Sequence, residues 1–396
     1  MPGAILEQES MEQLISRFEG LCNELTQRSL TCPDAQRQQA LNTAQKLVRK
    51  LQSPNEFGTA QSWAPLEIVG AAIACDLDIP NTIAAHNGPI QLKEIAEKTP
   101  SAAEVLVMRI VRFLAGHGMI DQLDEEVYVA NDLTRDYATD VRRAQIFKML
   151  YCLPSYAALP AFLRETGYRD SSDPKNCAWQ KGLQTTDTFW QWLDKRPMEA
   201  NWFNTLMTAA RSANDDSLAK TYPFSKLFAG AQHDDVLFVD VGGGYGQQCI
   251  NIRASFPKDH GRVVLQDLES VVKGRELADV EVQAYDMFEE QPIKGAKAYY
   301  LRGICHDHSD EVCRRFLARV KAAMTEDSRI LIHERLVADI NPTDLVTKSD
   351  FMMMAQFAAM ERSYKQIKTL LESVGFKVGD QYRLGVNEWS IVEATV

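Results

Sequence analysis

The chain has 396 residues, 45% of them hydrophobic and 24% charged, and a formal net charge of −11. That composition provides a sizeable core for about two or three domains and excludes a mainly disordered, collagen-like or disulfide-stapled chain. The acidic balance also speaks against a non-specific nucleic-acid binder, whose footprint is basic.

The eight cysteines, at 22, 32, 75, 152, 177, 249, 305 and 313, include no CxxC pair. Neither a zinc knuckle nor a redox motif is indicated, and reduced thiols are the simplest reading. The opening MPGAILEQESMEQ lacks the basic and apolar regions of a secretion signal. The apolar run Ile68–Cys75 lies between Glu67 and Asp76 and is far shorter than the roughly 20 residues of a membrane span. A cytoplasmic protein without a membrane partner is expected.

In chain order, the first fifty residues predict two amphipathic helices. Met11, Leu14, Ile15, Phe18, Leu21, Cys22 and Leu25 share one stripe, and Leu41, Ala44, Leu47, Val48 and Leu51 form another beyond Pro33. Both stripes need a partner, within the chain or in a second subunit. Residues 90–140 resemble a winged-helix unit. A short helix at Leu92–Glu97 is followed by a turn at Pro100 and a helix from Ala102 to His117. Val105, Met108, Ile110, Val111 and Leu114 form its apolar side, Arg109 and Arg112 face solvent, and Tyr128 and Val129 start a wing strand. This stretch holds five Lys/Arg against ten Asp/Glu, so it suits dimerisation better than DNA. Residues 143–232 read as helical. Phe189, Trp190, Trp192, Trp202, Phe203, Leu206 and Met207 supply mostly core, with a minority free to line an aromatic-friendly pocket.

From Val236 strands and helices alternate. Strands are predicted at Val236–Val241, Arg262–Gln266, Val280–Ala284, Ala298–Leu301 and Arg329–His333, with a helix at Ser309–Met324. This alternation specifies a parallel sheet covered on both faces. Phe376–Leu384 and Trp389–Ala394, linked through Gly385, predict an antiparallel hairpin at its edge.

Three motifs carry chemistry. Val239-Asp240-Val241-Gly242-Gly243-Gly244-Tyr245-Gly246 runs from a strand through a glycine turn into a helix, where a ligand can approach the backbone. A dinucleotide GxGxxG would need glycine at 247, where Gln247 stands, and the carboxylate of Asp240 favours a cationic ligand over a pyrophosphate. Asp267 ends the second strand, where a carboxylate can accept ribose hydroxyls, and Asp286-Met287-Phe288 follows the third, where it can frame an adenine. Each acid alone could be a solvated cap, but all three converge on the sheet's carboxyl edge. The second motif places His306 just past the fourth strand, available as a general base or as a structural histidine. His306 and His308 alone are a weak metal set without an evident third His or Cys, so no metal is expected. His308 reads as a cap or a solvent-facing residue. The third is a pair, Glu334 at the end of the fifth strand and Glu361 before the helix carrying Leu370 and Leu371. Either could pair with its neighbouring arginine; if both reach His306 they would hold its tautomer and stabilise imidazolium.

Taken in order, VDVGGGYG, QDLESVV, YDMFEEQP, LRGICHDHSDE, HERLV, AMERS and LLESVGF resemble a fungal class I S-adenosylmethionine-dependent O-methyltransferase of the plant caffeate-type architecture, over nearly the whole chain. The resemblance implies an α/β fold: a Rossmann-like domain with a mostly parallel sheet and C-terminal hairpin, preceded by a helical winged-helix dimerisation domain. The expected divisions are 1–150 for dimerisation, 151–232 for a helical linker and substrate pocket, and 233–396 for the Rossmann-like domain. It implies S-adenosylmethionine held by Asp240, Gly242, Gly244, Asp267, Asp286, Met287, Phe288 and Arg302. His306 would be the base, oriented by Glu334 and Glu361, and Phe203 and Met207 would face the acceptor. A homodimer acting on a hydroxyl of an aromatic or polyketide-like metabolite follows. The family resembled also includes methyltransferase-like pericyclases and dehydratases, which are the alternative. One departure is His308, where the family usually has Trp.

Overall fold

The structure, a computed structural model, describes residues 10–29, 31–169, 171–212, 217–256, 258–384 and 389–396. The chain divides into two compact units, Met1–Leu66 and Glu67–Val396. The first contains helices Met11–Ser29, Asp34–Leu51 and Pro54–Trp63, the last opened by a Ser53–Glu56 capping box that satisfies its first amides. The two expected stripes are largely uncovered: Met11, Leu14, Ile15, Phe18, Leu21, Leu25, Leu41, Val48 and Leu51 are all exposed.

The second unit begins with the expected winged-helix elements. Helices Leu92–Glu97 and Glu104–Gly116 pack beside a small antiparallel sheet of Ile90–Gln91, Val127–Val129 and Asp121–Asp124. Val107, Ile110, Val111 and Leu114 form the buried stripe, while Arg109 and Arg112 are exposed. Val105, expected on the apolar side, is 65% exposed because the stripe begins two residues later.

The main sheet has seven strands: Val236–Val241 (β1), Arg262–Asp267 (β2), Glu281–Ala284 (β3), Ala298–Arg302 (β4), Arg329–Arg335 (β5), Lys377–Arg383 (β6) and Trp389–Thr395 (β7). Their order is β3-β2-β1-β4-β5-β7-β6. The first five are parallel, and β7 runs antiparallel between β5 and β6. The expected link at Gly385 lies outside the described residues. All six residues of β1 are buried, as a central strand covered on both faces requires. Val239 and Val241 pack with Phe316, Leu317 and Val320 of helix Asp310–Ala323 on one face, and Phe238 packs with Leu265, Tyr300 and Ile252 on the other. Because β2 and β4 flank β1 on opposite sides, the carboxyl ends of β1 and β4 open a crevice at the point where the strand order reverses, the usual ligand position of such sheets.

Helix Asp140–Glu165, opened by a Thr139 cap, runs for 26 residues and contains Pro154 and Pro160. By length and composition it is long and apolar enough to cross a membrane, which corrects the count of uninterrupted apolar runs. It buries Ala144, Ile146, Lys148, Cys152, Ser155, Leu159 and Phe162, and packs against helices Ala178–Leu183, Pro197–Ser212 and Asp344–Phe357.

Candidate active site

The glycine turn is fastened to the end of β2. The amides of Gly242 and Gly243 donate to the Gln266 carbonyl at 2.8 and 3.2 Å, and the Gly244 amide donates to Asp267 Oδ2 at 2.7 Å. Gly242 has φ +73°, and a Cβ there would lie 2.5 Å from Ile304 Cδ1. A Cβ on Gly243 would lie 2.5 Å from both Asp240 Cγ and Leu265 Cδ1. The backbone is therefore bare where β1 meets the crevice, whose walls are Asp240, Gly242, Gly243, Gln247, Gln248 and Arg302. The Arg302 guanidinium sits 4.9 Å above the Trp389 ring.

A buried amide network holds the neighbouring strand ends. Gln266 donates to Gln283 and Gln291 and accepts from Gln291, at 2.8, 2.9 and 2.9 Å. Asp267 thus stands on a braced strand end, its other oxygen accepting from the Leu268 amide at 2.7 Å. Asp286 is exposed and accepts from the Phe288 amide at 3.0 Å, while Met287 and Phe288 pack against the core. A cradle that any Cβ would fill, ringed by acids at three successive strand ends, fits a cationic nucleoside ligand.

His308 caps the Cys305–Asp307 turn, its amide donating to the Cys305 carbonyl at 3.2 Å, and its side chain does not face solvent. It packs edge-on against Phe288 and Phe316, with ring centroids 6.1 and 5.8 Å away, and burial lowers its pKa. It fills an aromatic position beside the Asp286–Phe288 loop.

His306 lies in a single helical turn, Cys305–Asp307, directly after β4. Its Nδ1 is 3.1 Å from Glu361 Oε1, and its Nε2 is 3.6 Å from Asp307 Oδ1. Glu361 also accepts from Ser349 Oγ at 2.6 Å, and its own amide donates to Asp350. Glu334 makes a different contribution. Its Oε1 accepts the amides of Ile304 and Cys305 at 3.1 and 2.8 Å, fixing the turn that carries His306. Pairing with the adjacent arginine is not the role of Glu361, because Arg362 instead bonds Asp310 and the carbonyls of Cys305 and His308.

Burial works against charge on His306, but Asp307, Glu334 and Glu361 outweigh it and push its pKa from 6.5 up to about 10. Burial raises Glu334 to about 7 despite His306, while the bonds to His306 and Ser349 hold Glu361 below its ordinary value against burial. Ligand atoms of His306, Glu334 and Glu361 lie within 4.8 Å of one another, so the candidate metal donors near His306 are two carboxylates. The Oε1 atoms of both are taken up by amides, a hydroxyl and the imidazole, while Glu334 Oε2 and Glu361 Oε2 are buried without a hydrogen-bond partner.

Phe203, on helix Pro197–Ser212, contacts Phe189 and Trp190 and belongs to a cluster with Cys152, Met352, Met353 and Phe357. Met207 is half-buried one turn further along. Helix Asp344–Phe357 joins this aromatic wall to the histidine cluster, since it carries both Met353 and Ser349. Trp389, Ser349 and the glutamine network were missed from the sequence because none has a short-range signal.

Residues 164–377 match the O-methyltransferase domain, and residues 71–140 match the O-methyltransferase dimerisation domain. The chain belongs to the O-methyltransferase family. It is 38% identical to O-methyltransferase gsfD of Penicillium aethiopicum, over 97% of this chain and 98% of that protein. Its fold superposes on LepI in complex with SAM with a TM-score of 0.89, at 26% identity, covering 98% of this chain and 100% of that one. A solved protein described as a pericyclic reaction enzyme gives the same TM-score at 25% identity, covering 96% and 100%. The enzyme is an O-methyltransferase, and its methyl donor is S-adenosylmethionine.

Proposed function

We propose that this O-methyltransferase methylates a hydroxyl of an aromatic or polyketide-like small molecule, with His306 as general base. The observation that carries the reading is the His306–Glu361 pair at 3.1 Å beside the donor crevice. The glycine turn, Asp240, Asp267, Asp286, Met287, Phe288 and Arg302 would hold the donor. When bound, the donor supplies a sulfonium methyl carbon that is electrophilic without a metal, and its C–S bond breaks as the acceptor's C–O bond forms.

The chain's own task is to align the acceptor and take its proton. With Nδ1–H directed to Glu361, Nε2 is the nitrogen left to accept the hydroxyl proton. A phenol ionises near pH ~10, so transfer to an ordinary histidine of pKa ~6.5 is uphill. With His306 raised to about 10 the two match, and proton transfer is close to balanced. Glu361 and Glu334 then face an imidazolium. Phe203 and Met207 would line the acceptor side, where the flat aromatic wall suits a fused-ring substrate.

The uncovered N-terminal stripes and the dimerisation domain support a homodimer as the working form. A second reading, a donor-dependent pericyclic reaction, is favoured by the likeness to the pericyclic reaction enzyme. There His306 would bond a polar substrate group. Mass spectrometry of the acceptor separates the two, because methyl transfer adds one methyl group and cyclisation adds none. His306→Ala should lower methyl transfer by about 10²–10⁴-fold, with titrated affinity for S-adenosylhomocysteine unchanged. Near-normal turnover in that variant would reject His306 as the base.

A further inference from the structure

Lys148 lies in the middle of helix Asp140–Glu165 and is only 7% exposed. Buried lysines are ordinarily paired with a carboxylate, because desolvating an ammonium is costly. Among the described residues no carboxylate is within ion-pair distance of Lys148. The acceptor its ammonium reaches is Met352 Sδ, at 3.1 Å, a weak partner for a full charge.

Its surroundings identify what lies in front of it. Met352 belongs to helix Asp344–Phe357, which braces Glu361 through Ser349. Cys152, one turn further along the lysine's own helix, belongs to the aromatic cluster of Trp179, Phe189, Trp192 and Phe203. The acidic group whose field reaches Lys148 is Asp307, the residue beside His306. Tyr151, on the same helix, has a buried hydroxyl without a hydrogen-bond partner. A buried cation with unused hydrogen-bonding capacity therefore stands on the helix that carries part of the aromatic cluster, within the field of the residue beside the base.

We propose that Lys148 is an acceptor-binding residue, and that the acceptor is an aromatic molecule carrying an anionic oxygen, a carboxylate or an acidic phenolate, which pairs with the ammonium. This rests on the acceptor lying between Phe203 and His306. Burial lowers the pKa of Lys148, so pairing with an anion would restore the charged form that burial disfavours.

The test is binding to full-length enzyme saturated with S-adenosylhomocysteine, so it does not depend on how the proton moves. The probes are 1-hydroxy-2-naphthoate, its neutral methyl ester, and 4-nitro-1-naphtholate as the phenolate arm. Lys148→Met preserves the length and packing of the side chain and removes its charge. It should weaken the bound anion by about 10- to 100-fold, as expected for a lost charge-assisted hydrogen bond, and leave the ester within about twofold. Selective loss for the carboxylate, the phenolate or both identifies the oxygen. Phe203→Ala should weaken every probe alike. Loss in Phe203→Ala with an unchanged anion preference in Lys148→Met overturns the role of Lys148 and keeps the acceptor site. No change in either variant overturns both, and wild-type enzyme that does not prefer the anions to the ester overturns the proposal as well. Unchanged S-adenosylhomocysteine affinity in Lys148→Met confirms that the variant is folded.

Discussion

Replacing Glu361 by glutamine removes one charge from the cluster and keeps its shape. The amide oxygen can still accept from His306 Nδ1 and Ser349 Oγ, so the ring should stay in place. What changes is the imidazolium. A carboxylate 3.1 Å from the ring is the nearest of the three that raise His306 to about 10. Moving His306 from 6.5 to about 10 corresponds to about 5 kcal/mol, at ~1.4 kcal/mol per pH unit. That total is shared among Asp307, Glu334 and Glu361 and opposed by burial. Losing the nearest of three should lower the titration by about one to two pH units, given the strength of close pairs at intermediate dielectric.

The consequence for rate has two signs. In the wild type, kcat/KM for the donor reports the free enzyme and should climb about tenfold per pH unit from neutrality, levelling near pH 10. Glu361→Gln should level earlier, near pH 8 to 9. With a Brønsted slope of about one half, its plateau should fall about 3- to 10-fold because the base is weaker. At pH 7 the neutral fraction is about 10- to 100-fold larger in the variant, so Glu361→Gln should be about 3- to 10-fold faster there, and the two profiles should cross between about pH 9 and 9.5. The assay is initial methyl-transfer rate from pH 6 to 10.5, with the histidine titration followed by NMR and assigned with His306→Gln. Parallel profiles, or a wild-type bend near 6.5, would refute the reasoning.

Gly243→Ala places a methyl group 2.5 Å from Asp240 and Leu265, an overpacking worth about 1–3 kcal/mol; denaturant unfolding and calorimetry with S-adenosylhomocysteine should show lower stability and weaker binding, and unchanged binding would remove the turn from the donor site. Both His306 and Glu334 titrate higher in the folded protein than in the unfolded chain, so the stability they contribute is complete below about 6.5 and 4.5 and is lost as pH rises through about 10 and about 7. The melting temperature should therefore fall from pH 5 to pH 10, with a shallower slope in His306→Gln; an equal slope would contradict the titrations. Dialysis against EDTA should leave methyl transfer intact, because a sulfonium methyl carbon is electrophilic without a metal and the bonds of Glu334 Oε1 and Glu361 Oε1 go to amides, Ser349 and His306; loss of activity restored by a divalent ion would make the cluster, with its two unpartnered Oε2 atoms, a metal site.

Much of this arrangement was legible because it is local. A buried parallel strand reads as an uninterrupted apolar run, so β1 appears directly in Val236–Val241, and the residue after such a run belongs to the sheet's carboxyl edge. That pattern places Asp240, Asp267 and His306 at the edge from the sequence alone. The partners of those residues were not legible. Ser349 reaches Glu361 from a separate helix, and Gln266, Gln283 and Gln291 meet only after three strands or loops converge. Glu334 lies within 4.8 Å of the histidine and favours its charged form, but its hydrogen bonds go to two backbone amides, whose positions no side-chain pattern encodes. Lys148 was hidden for the opposite reason. A single lysine in a helical apolar pattern ordinarily reads as a solvent-facing residue, and only the helices on both sides of it show that it is buried.

The charges around the crevice form an ordered series. Asp240, Asp267 and Asp286 stand at the ends of β1, β2 and β3, and Asp307, Glu334 and Glu361 surround His306. Methyl transfer to a hydroxyl creates no net positive charge: one is lost at sulfur and one appears on the imidazole. A site that is acidic from the glycine turn to His306 therefore favours the cation before and after the reaction, and the close Glu361 contact biases where it ends. Fixed carboxylates can do this without reorganising, because each is already held by an amide, a hydroxyl or the ring. Lys148 is the buried cation beyond Asp307 in that series, proposed to pair with an anionic group of the acceptor apart from the hydroxyl that faces His306. The acids could hold a cation for either chemistry, but a base matched to a phenol is useful only where a proton must leave. The proposed role of His306 as base, 3.1 Å from Glu361, is therefore what would separate methyl transfer from a cyclisation that moves no proton.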